Sequence, residues 1–90
     1  MKITWRPRAA DDFEQLIEMS SAGHTANASR DKSLLENRLL QLVKFDQLGR
    51  KSRRIGVREL PIEGTPYVVV NRRMDEELLI LRIFHNGKAT

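Results

Sequence analysis

A chain of 90 residues builds one small core, and with no cysteine and only two histidines it offers no disulfide framework, thiolate nucleophile or zinc-ligand set. Sixteen Lys and Arg against twelve Asp and Glu leave a net charge of +4, which favours an acidic partner such as nucleic acid, the ribosome or an acidic protein. No apolar stretch approaches the roughly 20 residues of a transmembrane helix, and residues 1–8 are too polar for a signal-peptide core. The expectation is one cytoplasmic domain over residues 1–90 with no membrane partner and no cofactor.

In chain order, Lys2 to Trp5 reads as a short first strand, with Ile3 and Trp5 at period two and Pro7 closing it. From Pro7 to about Ser20 the apolar residues Ala9, Phe13, Leu16 and Ile17 recur at helical steps, and Asp11 and Asp12 sit near the positive end of the macrodipole. The small and polar residues 20–27 form a connector that contains His24, with Thr25 or Asn27 able to cap the next element. A second helix runs from Ala28 to Phe45, with Leu35, Leu39, Leu42 and Val43 as its stripe and Leu34, Leu40 and Phe45 widening it. The two helices form a hairpin that lays its apolar side on one face of a sheet.

After Gly49 a basic loop holds Arg50, Lys51, Arg53 and Arg54, read either as a solvated loop or as a phosphate or carboxylate contact. A strand from Ile55 to Ile62 comes next, and its slipping alternation predicts a bulge or bend near Glu59, linked to Pro61. Turn signals at residues 63–66 and from Asn71 to Asp75 set off two nearly continuous apolar runs, Tyr67 to Asn71 and Glu77 to Phe84, which suit central strands. The fold class is therefore α+β in two layers: an N-terminal strand, a helical hairpin, then an antiparallel three-strand meander.

Charges inside these strands need a reason. Arg82, between Leu81 and Ile83, is either ion-paired with Glu59 or another acid on an adjacent strand, or functional. His85, at the strand end, acts as acid or base or bonds a turn; Arg58 points beside Leu60 or outward; Tyr67 stacks on a base or covers the core. Asp11 and Asp12 are helix neighbours that diverge by about 100 degrees, so they are no catalytic carboxylate pair. No Gly-rich phosphate loop, hydrolase triad or metal-ligand spacing is present.

The segments WRPRAADDF (5–13), FDQLGR (45–50), GVREL (56–60), GTPYVVV (64–70) and ILRIFH (80–85) together resemble the RelE/ParE toxin superfamily, in order and over nearly the whole chain. The resemblance implies the same strand, hairpin and meander. It also implies a toxin of a type II toxin-antitoxin pair, of which RelE-type members cut ribosome-bound messenger RNA and ParE-type members poison DNA gyrase. The segments look closer to the ParE branch. Tyr67 and the 86–87 positions stand where the nuclease pattern has arginines, while Arg58 falls on a nuclease lysine and His85 on a histidine of some ribosome-dependent members.

The leading expectation is thus a gyrase inhibitor that binds through Arg50, Lys51, Arg53, Arg54, Arg58, Tyr67, His85 and Lys88. The alternative is a ribosome-dependent endoribonuclease using Arg58, Arg82 and His85; a third is a degenerate toxin that keeps only antitoxin binding. The implied partner is a cognate, acid-rich antitoxin, through which the complex binds promoter DNA, with a homodimer or heterotetramer as the expected assembly.

Overall fold

The structure, a computed structural model, describes residues 2–21, 26–45 and 48–85. Expectations that fall on His24, Thr25, residues 86–87 and Lys88 lie outside them. Strand β1 (Lys2–Trp5) leads into helix α1 (Pro7–Ser21), with Pro7 at the first helical position, where its missing N–H is no loss. Helix α2 (Ala26–Lys44) is next, so Asn27 lies within the helix and not in the connector before it. Then come β2 (Arg50–Lys51), β3 (Val57–Pro61), β4 (Tyr67–Met74) and β5 (Glu77–His85). The sheet order is β1-β5-β4-β3-β2, with β1 parallel to β5 and the other pairings antiparallel.

The core lies between helices and sheet. Ala9, Leu16, Leu35, Leu39 and Leu42 pack against Leu60, Ile62, Val69, Leu78, Ile80 and Ile83 in a single buried cluster. Trp5 stacks on Phe13 with ring centroids 5.1 Å apart, joining the end of β1 to α1. The expected widening of the α2 stripe is only partly present. Leu34 packs on the core, but Leu40 and Phe45 are 62% and 59% exposed, because α1 and one sheet face already fill the neighbours of this helix.

Four further expectations are corrected. Arg50 and Lys51 belong to an edge strand and not to a loop, paired with Glu59 and Arg58, so the meander gains a fourth member. Next, β3 starts at Val57, and its register with β4 is unbroken through Pro61, so no bulge lies at Glu59. The alternation slips there because Val57 and Leu60, three residues apart, are both buried while facing opposite sides of the sheet. The irregularity sits instead between β4 and β5: Val70 faces Arg82 and Asn71 faces Ile80, which leaves Leu81 as the extra residue. Finally, the chain does not turn at Asn71; β4 continues to Met74, and Asp75, at φ 50, turns the hairpin into Glu77.

Pro61 is tolerated within β3 for a simple reason. The Ile62 N–H bonds the Tyr67 carbonyl, so the preceding position directs its nitrogen away from β4, where a missing donor breaks no ladder bond.

Candidate functional site

Register decides which polar groups meet. Tyr67 pairs with His85 at one end of β4, and Asn71 pairs with Arg58 four residues further along, so His85 and Arg58 are separated by about 13 Å of strand. Arg82 is held at a third place. Its Nε and Nη2 donate to the Asp12 carboxylate at 2.8 and 3.2 Å, and the same Oδ2 accepts the Ile83 N–H at 2.8 Å. The acid is thus on α1 and not on an adjacent strand as expected, while Glu59 pairs with Arg50 at 3.3 Å. Hydrogen bonding to Asp12 raises the Arg82 pKa further above its already high value, and the guanidinium also lies 4.6 Å from the Phe84 ring centroid.

Asp12 has this position because β1 is short. Its four residues pair with Glu77 to Ile80 of a nine-residue partner, so the rest of β5 has no strand on that side. The residue before α1 and the helix's second turn fill the gap: the Arg6 N–H bonds the Ile80 carbonyl and Asp12 takes the Ile83 N–H. Four residues against nine leaves part of that edge for something else to satisfy, a mismatch that exists only once β1 is paired with β5.

The Tyr67 ring packs on the core and meets His85 edge-on, with centroids 5.3 Å apart. Burial raises the phenol pKa, and the Asp31 carboxylate adds to the shift. His85 Nδ1 is buried without a hydrogen-bond partner among the described residues. This end of the sheet is therefore an aromatic and imidazole corner with Arg58 far from it.

The opposite end is basic. A cleft of about 380 Å³ opens beneath the turn between β2 and β3, and Lys51, Arg53, Arg54, Arg58 and Arg73 all line it, with no acid among the lining residues. Its floor is fixed. Arg58 Nη1 donates to the Gly49 carbonyl at 3.2 Å, and the buried Asn71 donates Nδ2 to the Arg58 carbonyl at 3.4 Å. Arg73 reaches 2.9 Å to the Leu42 carbonyl near the C-terminal end of α2, where a cation opposes the helix dipole favourably. Arg50 stands outside, in its rim pair with Glu59, a contact of the exposed kind that contributes little.

Of the residues singled out from sequence, the structure brings Lys51, Arg53, Arg54 and Arg58 together and leaves Arg82, Tyr67 and His85 elsewhere. Arg73, Asn71 and Asp12 were missed. The first two hid behind a turn signal, since residues 71–75 read as the end of a strand. No group of three or more His, Cys, Asp or Glu among the described residues comes together to hold a metal.

The helical hairpin lies on one face of a mixed sheet, and a basic cleft opens at one end of it. The family model described as ParE toxin of type II toxin-antitoxin system, parDE, matches residues 3–89, and the chain belongs to that family. Among solved structures it is similar to the chromosomal ParDE TA system from P. aeruginosa, at 26% identity and a TM-score of 0.76, over 94% of this chain and 95% of that one. It also shares its fold with a copper-bound mutant toxin from Helicobacter pylori, at 23% identity and a TM-score of 0.69, over 100% of this chain and 99% of that one. No curated protein matches it.

Proposed function

We propose that this ParE toxin acts by binding and not by catalysis, that its target is DNA gyrase, and that a cognate antitoxin neutralises it. The observation that supports the binding mode is the strand register. Cleavage of RNA by a metal-free site needs several positive groups around one phosphate, because each supplies only part of the transition-state stabilisation. The three groups the nuclease reading needs do not converge, since Arg58 is about 13 Å along the sheet from His85 and Arg82 is bonded to Asp12, and the cations that do converge, in the β2–β3 cleft, have no histidine or carboxylate among the lining residues to move a proton.

The antitoxin reading rests on the ParE family and on the surface of α2. Leu40 and Phe45 are exposed large apolar side chains on or just after that helix, within a chain of net charge +4, and an acid-rich amphipathic segment matches both properties. Promoter DNA is then contacted through the antitoxin, and the assembly is a toxin homodimer or a heterotetramer.

Purified toxin is expected to inhibit gyrase supercoiling and to leave ribosome-bound message intact. Message cut at the decoding site, with the cutting lost in His85→Ala, overturns this reading in favour of the nuclease. Absence of both activities with antitoxin binding retained marks a degenerate toxin.

A further inference from the structure

The turn between β2 and β3 is held by its own hydrogen bonds. The Ser52 N–H bonds the Val57 carbonyl at 2.9 Å, the Val57 N–H bonds the Arg54 carbonyl at 3.2 Å, and the Arg54 N–H bonds Ser52 Oγ at 3.2 Å. Gly56, at φ 79, supplies the left-handed residue that the turn requires. This internally bonded turn projects Lys51, Arg53 and Arg54 into solvent around the cleft mouth, and Ile55 at its tip is 96% exposed.

Two properties of this arrangement call for an explanation. Arg58 and Arg73 in the floor are engaged with backbone carbonyls, whereas Lys51, Arg53 and Arg54 have no carboxylate partner among the described residues. Holding like charges on one fixed turn is unfavourable until an anion arrives. A single carboxylate is satisfied by one guanidinium fork, so three outer cations exceed what one acidic side chain uses. Ile55, between Arg54 and Gly56 at the tip, offers an apolar side chain beside cations, the combination by which side chains contact sugars or wedge against bases while the cations hold phosphates.

We propose that the cleft beneath the β2–β3 turn is a nucleic-acid contact: Lys51, Arg53 and Arg54 bind consecutive phosphodiester groups of a polynucleotide, and Ile55 packs against its sugars or bases. The site is distinct from the α2 surface and does not depend on which macromolecule the toxin inhibits. Its volume of about 380 Å³ falls within the range of ligand-sized clefts and admits a phosphate with its sugar.

The test is fluorescence anisotropy of the toxin with a short labelled DNA duplex, a single-stranded RNA of the same sequence, and poly-glutamate, between about 50 and about 200 mM salt. The wild type is expected to bind one or both polynucleotides more tightly than poly-glutamate, the tighter of the two naming the physiological source. Arg53→Ala/Arg54→Ala should weaken that binding about tenfold or more and reduce the slope of log affinity against log salt by about 2 for duplex or about 1.4 for single strands. Ile55→Ser should lower affinity and leave the slope unchanged. A control with equal charge loss, Arg6→Ala/Arg8→Ala at the exposed residues on either side of Pro7, should change both quantities less.

Thermal unfolding of each variant confirms that the exposed substitutions leave the fold intact. No polynucleotide binding at about 50 mM salt, equal losses in the control pair, or poly-glutamate binding as tight as the polynucleotides would each overturn the proposal.

Discussion

One carboxylate, Asp12, accepts three hydrogen bonds from two kinds of donor, the Arg82 guanidinium and the Ile83 backbone. Both side chains are largely shielded, at 25% and 16% exposure, so removing the acid leaves a desolvated cation and an unmet N–H together. Asp12→Ala is expected to destabilise the fold by about 2–4 kcal/mol in urea unfolding, and Asp12→Asn by less, because the amide oxygen still accepts one donor. Tyr67 makes a pH-dependent contribution. Its phenol has a pKa raised above 10.0 by burial and then by Asp31, so the unfolded chain releases this proton at lower pH than the folded one. Tyr67 therefore leaves stability unchanged below about pH 10 and subtracts from it as pH rises beyond that. Unfolding midpoints of Tyr67→Phe and wild type should run in parallel up to that pH and then diverge, the variant falling less.

Among the elements, the two glycines that flank the basic strand separate steric cost from conformational cost. Gly49 has φ 85, and a Cβ there would lie 2.7 Å from the Glu59 carbonyl oxygen, a backbone atom that cannot swing aside. Gly56 has φ 79, yet a Cβ would meet only Arg72 Nε at 3.9 Å. Gly56→Ala should cost about 1–2 kcal/mol for the left-handed conformation alone, and Gly49→Ala about 2–4 kcal/mol because overpacking against β3 adds to it. Thermal melts of the two variants would show the difference, and equal losses would refute the close approach. Element types were legible where periodicity was long: both helices and the apolar runs at Tyr67 and Glu77 carry their own signal. What was not legible was register. The bulge at Leu81 and the extension of β4 through Arg73 depend on which residue faces which across strands, and no local pattern encodes that.

Across the molecule, the excess of four positive charges acts at a distance. An acid-rich antitoxin should associate more slowly as salt is raised, with its dissociation rate little changed, since the long-range field steers encounter while close contacts set residence. Stopped-flow association at several salt concentrations measures this, and a salt-independent on-rate would exclude steering. The candidate site was half legible on the same physical grounds. Charge density along the chain pointed to Lys51, Arg53 and Arg54, which are neighbours in sequence. Arg73 joins them only because β4 and β3 align side by side, and Arg82 and His85 leave the group for the same reason. Contiguous charge survives folding as a patch, whereas a constellation assembled from separate strands exists only once pairing is fixed.

The short length of β1 has one more consequence. Half of β5 would otherwise present open backbone on which a strand from another molecule could add, the step that starts β-aggregation. Asp12 occupies the Ile83 donor there, and a carboxylate is a poor template for an incoming chain. At the far side, charged Arg50 and Lys51 form the two-residue border, and the donorless Pro61 lies just beyond them. An Asp12→Ala preparation should therefore not only unfold more easily but also clump sooner at a matched fraction unfolded, which thioflavin fluorescence would detect.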